Sequence, residues 1–374
     1  MRWGSVSRVV VVNDGLHFTT TDEQGRWTLT SDTCQSKFVA ISTPADYELN
    51  NDHGLARFYI PIAKTVKSGS NNDFVLRKRK KGADRFTYIA ISDLQMRNEK
   101  EVERWKSETL KDLSHTVGSL RSRGEIIGMT LGDLVFDTPD LFPTYAASCQ
   151  NLGLTMFQTI GNHDLDKRYQ DLHNMRWGTP VYAEQNYFRF FGPTDYSFNI
   201  GKIHVVTLKN INYVGHKKYI EAITDEQLAW LEKDLSYVPK GSTVFLNMHA
   251  AAWNTVQGDG NIRNAAELKQ LLKDYRVHVF CGHTHFYENI VVNGHLYQHN
   301  ITVTWQEDGV DKGAMEQFTA TDEMYIRMEN AIYRDVDEEP TGHLFRCKPG
   351  KKAKSITVTF TNRFGEKYMQ EIKL

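Results

Sequence analysis

Short β-branched and aromatic runs separated by turn residues open the chain. RVVVV (8–12), HFTTT (17–21), RWTLT (26–30) and FVAIS (38–42) each predict a strand, with Asp22–Gly25 as a break, and together they predict a small β-sandwich. The stretch 65–84, rich in Ser, Gly, Asn and Lys, predicts a linker, and its Arg77–Lys81 charge run reads as solvated linker rather than as a phosphate-attracting patch. From residue 86 the pattern becomes alternating. RFTYIAIS (85–92) is a continuous apolar run, as expected for a strand buried on both faces. Asn98 with Glu101 predicts a capped helix carrying Val102, Trp105, Leu110, Leu113, Val117 and Leu120 at helical spacing. Strands follow at 125–131, 154–160, 196–200, 202–208, 242–248 and 277–281, with helices opened by Thr224/Gln227 and Asn264/Glu267. Beyond residue 300 strand-like stretches return at 324–329 and 355–362, and a turn at FGEKY leads into a last strand. The expected organisation is a β-sandwich over 1–75, an α/β domain over 76–305 and a β domain over 306–374.

The 374 residues suffice for two to three domains. Lys plus Arg is 45 and Asp plus Glu is 46, a net charge of −1, which argues against a general nucleic-acid or polybasic membrane-surface binder. A hydrophobic fraction of 40% and a charged fraction of 24% exclude a wholly disordered chain. No apolar run approaches the roughly 18 residues of a membrane helix. The four valines near the start are too short for a signal-peptide core, so the expectation is a cytoplasmic protein or one whose signal has been removed. Cys34, Cys149, Cys281 and Cys347 lie far apart and form neither a zinc knuckle nor a disulfide framework.

Polar residues gather where the apolar strands end. The sequence places Asp93-Leu94-Gln95, Gly132-Asp133, Gly161-Asn162-His163-Asp164, His249 and Gly282-His283-Thr284-His285 at five such ends. Ligands of open α/β sheets bind beyond the carboxyl ends of strands. Carboxylates, imidazoles and amide oxygens are the donors that bind divalent metal. Alone, His249 reads as a core histidine and the GD segment as a turn. Their joint order is the signal, since 93 to 133, 133 to 162 and 249 to 283 each span one strand-crossover unit. The glycines are expected to let each loop turn sharply into a shared site.

These five segments resemble the calcineurin-like metallophosphoesterase family. GPTDYSFNIGKIHVVTL (192–208) followed by DEQLAWLEKDL (225–235) is similar to its purple-acid-phosphatase-like and phosphodiesterase members. The resemblance covers 85–300. The flanks resemble three-part bacterial members with a carboxypeptidase-regulatory-like N-terminal module, as VVNDGLHFTTTDEQGRWTLT suggests, and a C-terminal β domain. The implied fold is α/β, a layered metallophosphoesterase β-sandwich core flanked by helices, plus small all-β domains at both ends. The implied cofactors are two divalent metal ions, Mn, Fe or Zn, with Mg allowed. Asp93, Gln95, Asp133 and His285 would hold the first ion, and Asp133, Asn162, His249 and His283 the second. His163 would be the general acid or a hydrogen-bond donor to the transition state, and Asp164 would orient its ring. Gln95 departs from the family's usual His, and a neutral oxygen there favours harder ions such as Mn or Mg. Asp137 stands one position later than the usual carboxylate and receives no ligand role.

The resemblance implies hydrolysis of a small phosphoester, diester or monoester, by hydroxide generated on the metals attacking phosphorus in line, with inversion. A non-catalytic carbohydrate- or partner-binding protein on the same scaffold is the alternative, motivated by Gln95 and the flanking β modules. A protein phosphatase lacks further signatures and a nuclease is disfavoured by the charge. Relatives of three-part build imply a periplasmic or secreted protein, and the sequence assigns no oligomeric state. Trp177, Trp253, Tyr287 and Arg168 lie near the motifs, where core packing or surface pairing is the first reading and a pocket wall the second.

Overall fold

The computed structural model describes residues 9–32, 34–62, 72–168, 180–252, 262–285, 297–307, 310–320, 351–361 and 367–374. The chain divides into two compact units, the first reaching from the N-terminal strands to Thr284 and the second beginning its main run at His285.

The N-terminal stretch supplies β1 (Val11–Asn13), β2 (Phe18–Thr20), β3 (Phe38–Ser42), β4 (Asn51–Asp52), β5 (Leu55–Ala56) and β6 (Tyr59–Pro61). Four of these form a sheet in the order β2-β1-β3-β6. Residues 26–30, expected as a strand, join no ladder. Arg26 instead closes a turn by donating from its backbone N–H and side chain to the Asp22 carboxylate.

The alternating region continues with β7 (Phe86–Ile91), α1 (Glu99–Arg104), α2 (Leu110–Leu120), β8 (Glu125–Thr130), α3 (Phe142–Cys149) and β9 (Thr155–Gln158). A π-helical turn at Trp105–Thr109 joins α1 to α2, so the expected helix is continuous, and the Asn98 side chain caps it by accepting the Glu101 N–H. Then come α4 (Pro180–Ala183), α5 (Gln185–Phe191), β10 (Tyr196–Ile200), β11 (Ile203–Thr207), β12 (Ile211–Gly215), β13 (Lys218–Glu221), α6 (Asp225–Leu235), β14 (Thr243–Asn247), α7 (Ala265–Leu272) and β15 (Arg276–Phe280). Thr224 and Gln227 form the reciprocal box at the start of α6. Asn264 precedes α7 without capping it, because its side chain is bonded to both the N–H and the C=O of Ile223.

Two sheets face each other. One runs β4-β5-β9-β8-β7, with β7, β8 and β9 parallel. The other runs β10-β11-β14-β15, with β11, β14 and β15 parallel. Phe157 of the first stacks on Phe198 of the second at 4.1 Å between centroids. Val12 and Ile41 from the N-terminal sheet share this core with Ile127, Met129, Phe198 and Val205. This is an α/β layered sandwich, as expected. The exception is β7, which is half-buried because it forms the edge of its sheet. The hairpin β4–β5 closes the opposite edge, pairing Leu55 with Met156.

The second unit contains an antiparallel sheet of β16 (Tyr297–Glu307), β17 (Val310–Ala320), β18 (Ser355–Thr361) and β19 (Lys367–Lys373), in the order β17-β16-β18-β19. The strand expected at 324–329 lies outside the described residues.

Candidate metal centre

The loops after β7 and β8 are laced to each other. Asp93 N–H donates to Gly132 O at 3.1 Å, Gln95 N–H to Asp133 O at 2.8 Å and Phe136 N–H to Met96 O at 3.0 Å. Nine described non-glycine residues have positive φ, and five of them are predicted ligands: Asp93, Gln95, Asp133, His283 and His285. Asp137, which is not among the predicted ligands, also has a positive φ, at 57°. Such backbone costs about 1–3 kcal/mol per residue and persists only where the surroundings enforce it, so its concentration on these loops marks a built site. The glycines act mainly through space. A Cβ at Gly132 would overlap the His249 ring, one at Gly161 would overlap Asp133, and one at Gly282 would overlap Ser92 and Asp93. Only Gly132 of the three also needs its positive φ.

These approaches converge side chains from all five strand ends. His249 Nε2 lies 3.0 Å from Asn162 Oδ1, 3.3 Å from Asp133 Oδ2 and 3.2 Å from His283 Nδ1. Gln95 Nε2 is 3.4 Å from Asp133 Oδ2, and the His283 N–H donates to the Asp93 carboxylate. Asp133, Asn162 and His249 are buried, at 1%, 3% and 0% exposure. His285 opens the second unit.

The donor chemistry fits a cation. His249 Nδ1 sits 2.7 Å from the Leu131 carbonyl, which can only accept, so that nitrogen carries the proton. In the neutral ring Nε2 is then a lone pair, and it faces a carboxylate oxygen, an amide oxygen and a second imidazole nitrogen. One-atom donors from Asp133, His249 and His283 all lie within 4.8 Å of one another. Donors about 2.1 Å from a shared ion sit about 3–3.5 Å apart, the spacing around His249 Nε2. Without a cation, a proton takes its place. Burial pushes His249 down, but the Asp133 carboxylate outweighs it and raises the imidazole to about 9. Burial likewise raises Asp133, yet His249 holds it well below the usual carboxylate range. Burial and the adjacent charge of His249 push His283 down. Its other nitrogen, Nε2, lies 3.5 Å from Glu221 on β13.

His163 stands apart from this cluster. Its backbone N–H donates to Asp133 Oδ1 at 2.8 Å, while its ring Nδ1 donates to Asp137 Oδ1 at 2.9 Å. The Phe136 ring stacks on it at 3.8 Å, and the Arg97 guanidinium lies 4.3 Å over the Phe136 ring. The expectation that Asp164 orients this ring is therefore corrected. Asp164 is fully buried and spends its oxygens on the Val135 and Gly161 N–H groups, tying the GD loop to the GN loop. Burial, and then the nearby Asp133 charge, raise its carboxyl to about 8. Asp137, passed over in the sequence, is the partner of His163. The available signal was a carboxylate four residues beyond Asp133 in the same loop. Arg168 is tied to Asp166 and Asp140, while Trp177, Trp253 and Tyr287 lie outside the described residues.

Facing sheets whose parallel strands end in Asp, Gln, Asn and His around a cation-sized gap define a metallophosphoesterase. Family models agree in three pieces: the N terminal of calcineurin-like phosphoesterase over residues 6–79, calcineurin-like phosphoesterase over 86–287, and the C terminal of calcineurin-like phosphoesterase over 234–368. The central match spans more than half of the chain, and the protein belongs to the calcineurin-like phosphoesterase family. The family match supports a metal-dependent phosphoesterase, and Asp133, His249 and His283 form a cluster that could hold a metal ion. Among solved structures it is similar to a dimetal phosphatase from Danio rerio, at 14% identity and a TM-score of 0.36, over 54% of this chain and 82% of that one. A comparison with curated proteins returns no match. No described helix is long and apolar enough to cross a membrane.

Proposed function

We propose that the protein hydrolyses small phosphoesters, taking two divalent cations at the strand ends. Asp133 would be shared, with Asp93 and Gln95 on one side and Asn162, His249 and His283 on the other. The observation that carries this reading is His249. Its Nδ1 proton is committed to Leu131 O and its Nε2 faces Asp133, Asn162 and His283, an arrangement of electron pairs that only positive charge satisfies. Bound divalent cations supply Lewis acidity and a water of lowered pKa. The chain's own residues do the rest. Asp137 keeps Nδ1–H and the direction of the His163 ring fixed, Phe136 restrains its face, and the doubly protonated ring passes its Nε2 proton to the leaving oxygen, returning to the Nδ1–H form. Asp164 holds the GD and GN loops in register without touching that ring. Gln95, an oxygen donor where an imidazole would be softer, favours Mn or Mg on its side.

The test is equilibrium dialysis of the full chain against Mn, together with turnover of p-nitrophenyl phosphate and bis(p-nitrophenyl) phosphate. Two bound ions per chain and turnover of at least one ester are expected. Undiminished turnover after chelation, or an Asp133→Asn variant that still binds both ions, would overturn the reading. Stoichiometric metal with no turnover of any ester would favour a binding protein on this scaffold.

A further inference from the structure

Asp137 Oδ1 accepts two hydrogen bonds, one from His163 Nδ1 at 2.9 Å and one from Lys167 Nζ at 2.5 Å. The Lys167 side chain is 9% exposed, whereas that of Asp137 is 38% exposed. Asp137 therefore sits at the rim of the site with water on one side. A carboxylate so placed rotates freely unless something fixes it, and each rotation would release the His163 ring. Its backbone is already committed, since Asp137 N–H donates to His163 O at 3.0 Å. The side chain needs a second anchor, and the buried ammonium is that anchor. We propose that Lys167 is a positioning residue that clamps Asp137, and through it holds the His163 ring with Nδ1–H on Asp137, so that the doubly protonated ring donates its Nε2 proton to the leaving group. This rests on the phosphoesterase reading for its catalytic consequence, while the clamp itself is a statement about tautomer and can be read without turnover. The pull of both donors on Asp137 is consistent with it: burial raises the carboxyl, but the bonds from His163 and Lys167 outweigh that and hold it below its ordinary value.

Lys167 follows the GNHD segment by three residues, so a single turn of backbone delivers both the imidazole and the cation that anchors its partner. A lysine aimed at substrate would behave differently, because its loss would weaken binding of every phosphoester alike. A clamp shows itself in the dependence on leaving group. A p-nitrophenolate departs without help, whereas an alkoxide must be protonated.

The experiment compares the wild type with Lys167→Met, which keeps the stem, and Lys167→Arg, which keeps the charge. Methyl p-nitrophenyl and dialkyl phosphodiesters, or the matching monoesters, are the two probes. Lys167→Met is expected to lower kcat on the alkyl ester by about tenfold to a hundredfold, the range for losing an outer partner of a functional imidazole, with KM unchanged. Turnover of the p-nitrophenyl ester should fall less than about threefold, and Lys167→Arg should recover most of the loss. In an Asp137→Asn background, Lys167→Met should add nothing. A rise in KM on both esters, or the same loss in both backgrounds, would overturn the clamp. If the wild type turns over neither ester, the phosphoesterase reading fails first. The clamp is then decided by the side-chain nitrogen shifts of His163 in the Zn-loaded protein. These should report Nδ1–H in the wild type and in Lys167→Arg but a mixed tautomer in Lys167→Met, and an unchanged ring in Lys167→Met would overturn it.

Discussion

Two histidines on neighbouring loops show how differently one side chain can be used. His249 is fully buried, and its Nε2 faces oxygens and a nitrogen that all offer electron pairs. His163 has a side chain 19% exposed, stacked on Phe136 and bonded to an aspartate that is itself bonded to a lysine. The first environment is short of positive charge, and a proton or a cation must enter it. The second is complete as it stands. Both contain a His–Asp pair at about hydrogen-bond distance, so the pair itself does not set the two apart. What surrounds the pair does.

Substitutions can break that contrast in decreasing order of effect. Asp133→Asn removes the charge that His249 answers to. Metal affinity and activity should fall together by about a hundredfold or more, as read by dialysis and turnover. His163→Ala should leave bound metal intact while lowering kcat by about 10²–10⁴, the usual range for a general acid. If it lost metal as well, the two histidines would not be distinct. Phe136→Leu keeps Asp137 and Lys167 but removes the stacked face, and a fall in kcat of about threefold to tenfold is expected, in line with an aromatic contact worth about 0.5–1.5 kcal/mol. The smallest effect is on stability. The Asp137 carboxyl is held below its unfolded value of 3.8, so its contribution is present above that pH and is lost as the pH falls through the lower folded value. With the group partly exposed, the contribution is no more than about 1 kcal/mol. The Tm difference between wild type and Asp137→Asn should therefore be present at pH 6 and close below about pH 4.

The residues that meet around His249 were legible because each follows a strand end within a few positions, where apolar periodicity stops and polar residues begin. The partner of His163 was not. Asp164 is adjacent in sequence and Asp137 is 26 residues away, yet the adjacent carboxylate turns inward to two backbone N–H groups and the distant one reaches the ring. Asp137 takes a positive φ of 57°, which the spacing of a motif does not reveal. The burial of β7 was misread for a similar reason. FTYIAI is apolar enough for a central strand, and only the sheet order makes it an edge. Arg26–Thr30 has the composition of a strand but no neighbour to pair with. Capping at Asn98 and Thr224 was readable, being local, whereas Asn264 was drawn away by a backbone 41 residues earlier.

The hairpin β4–β5 sets a timetable for assembly. Leu55 pairs with Met156, so the sheet edge leaves the ribosome 101 residues ahead of the strand it seals. At about 5–20 residues per second, the N-terminal segment waits about 5–20 s with its inner face unmatched. Any grafting of the catalytic strands into another chain must carry those first sixty residues along, or leave β9 with an open flank on which a second molecule can add.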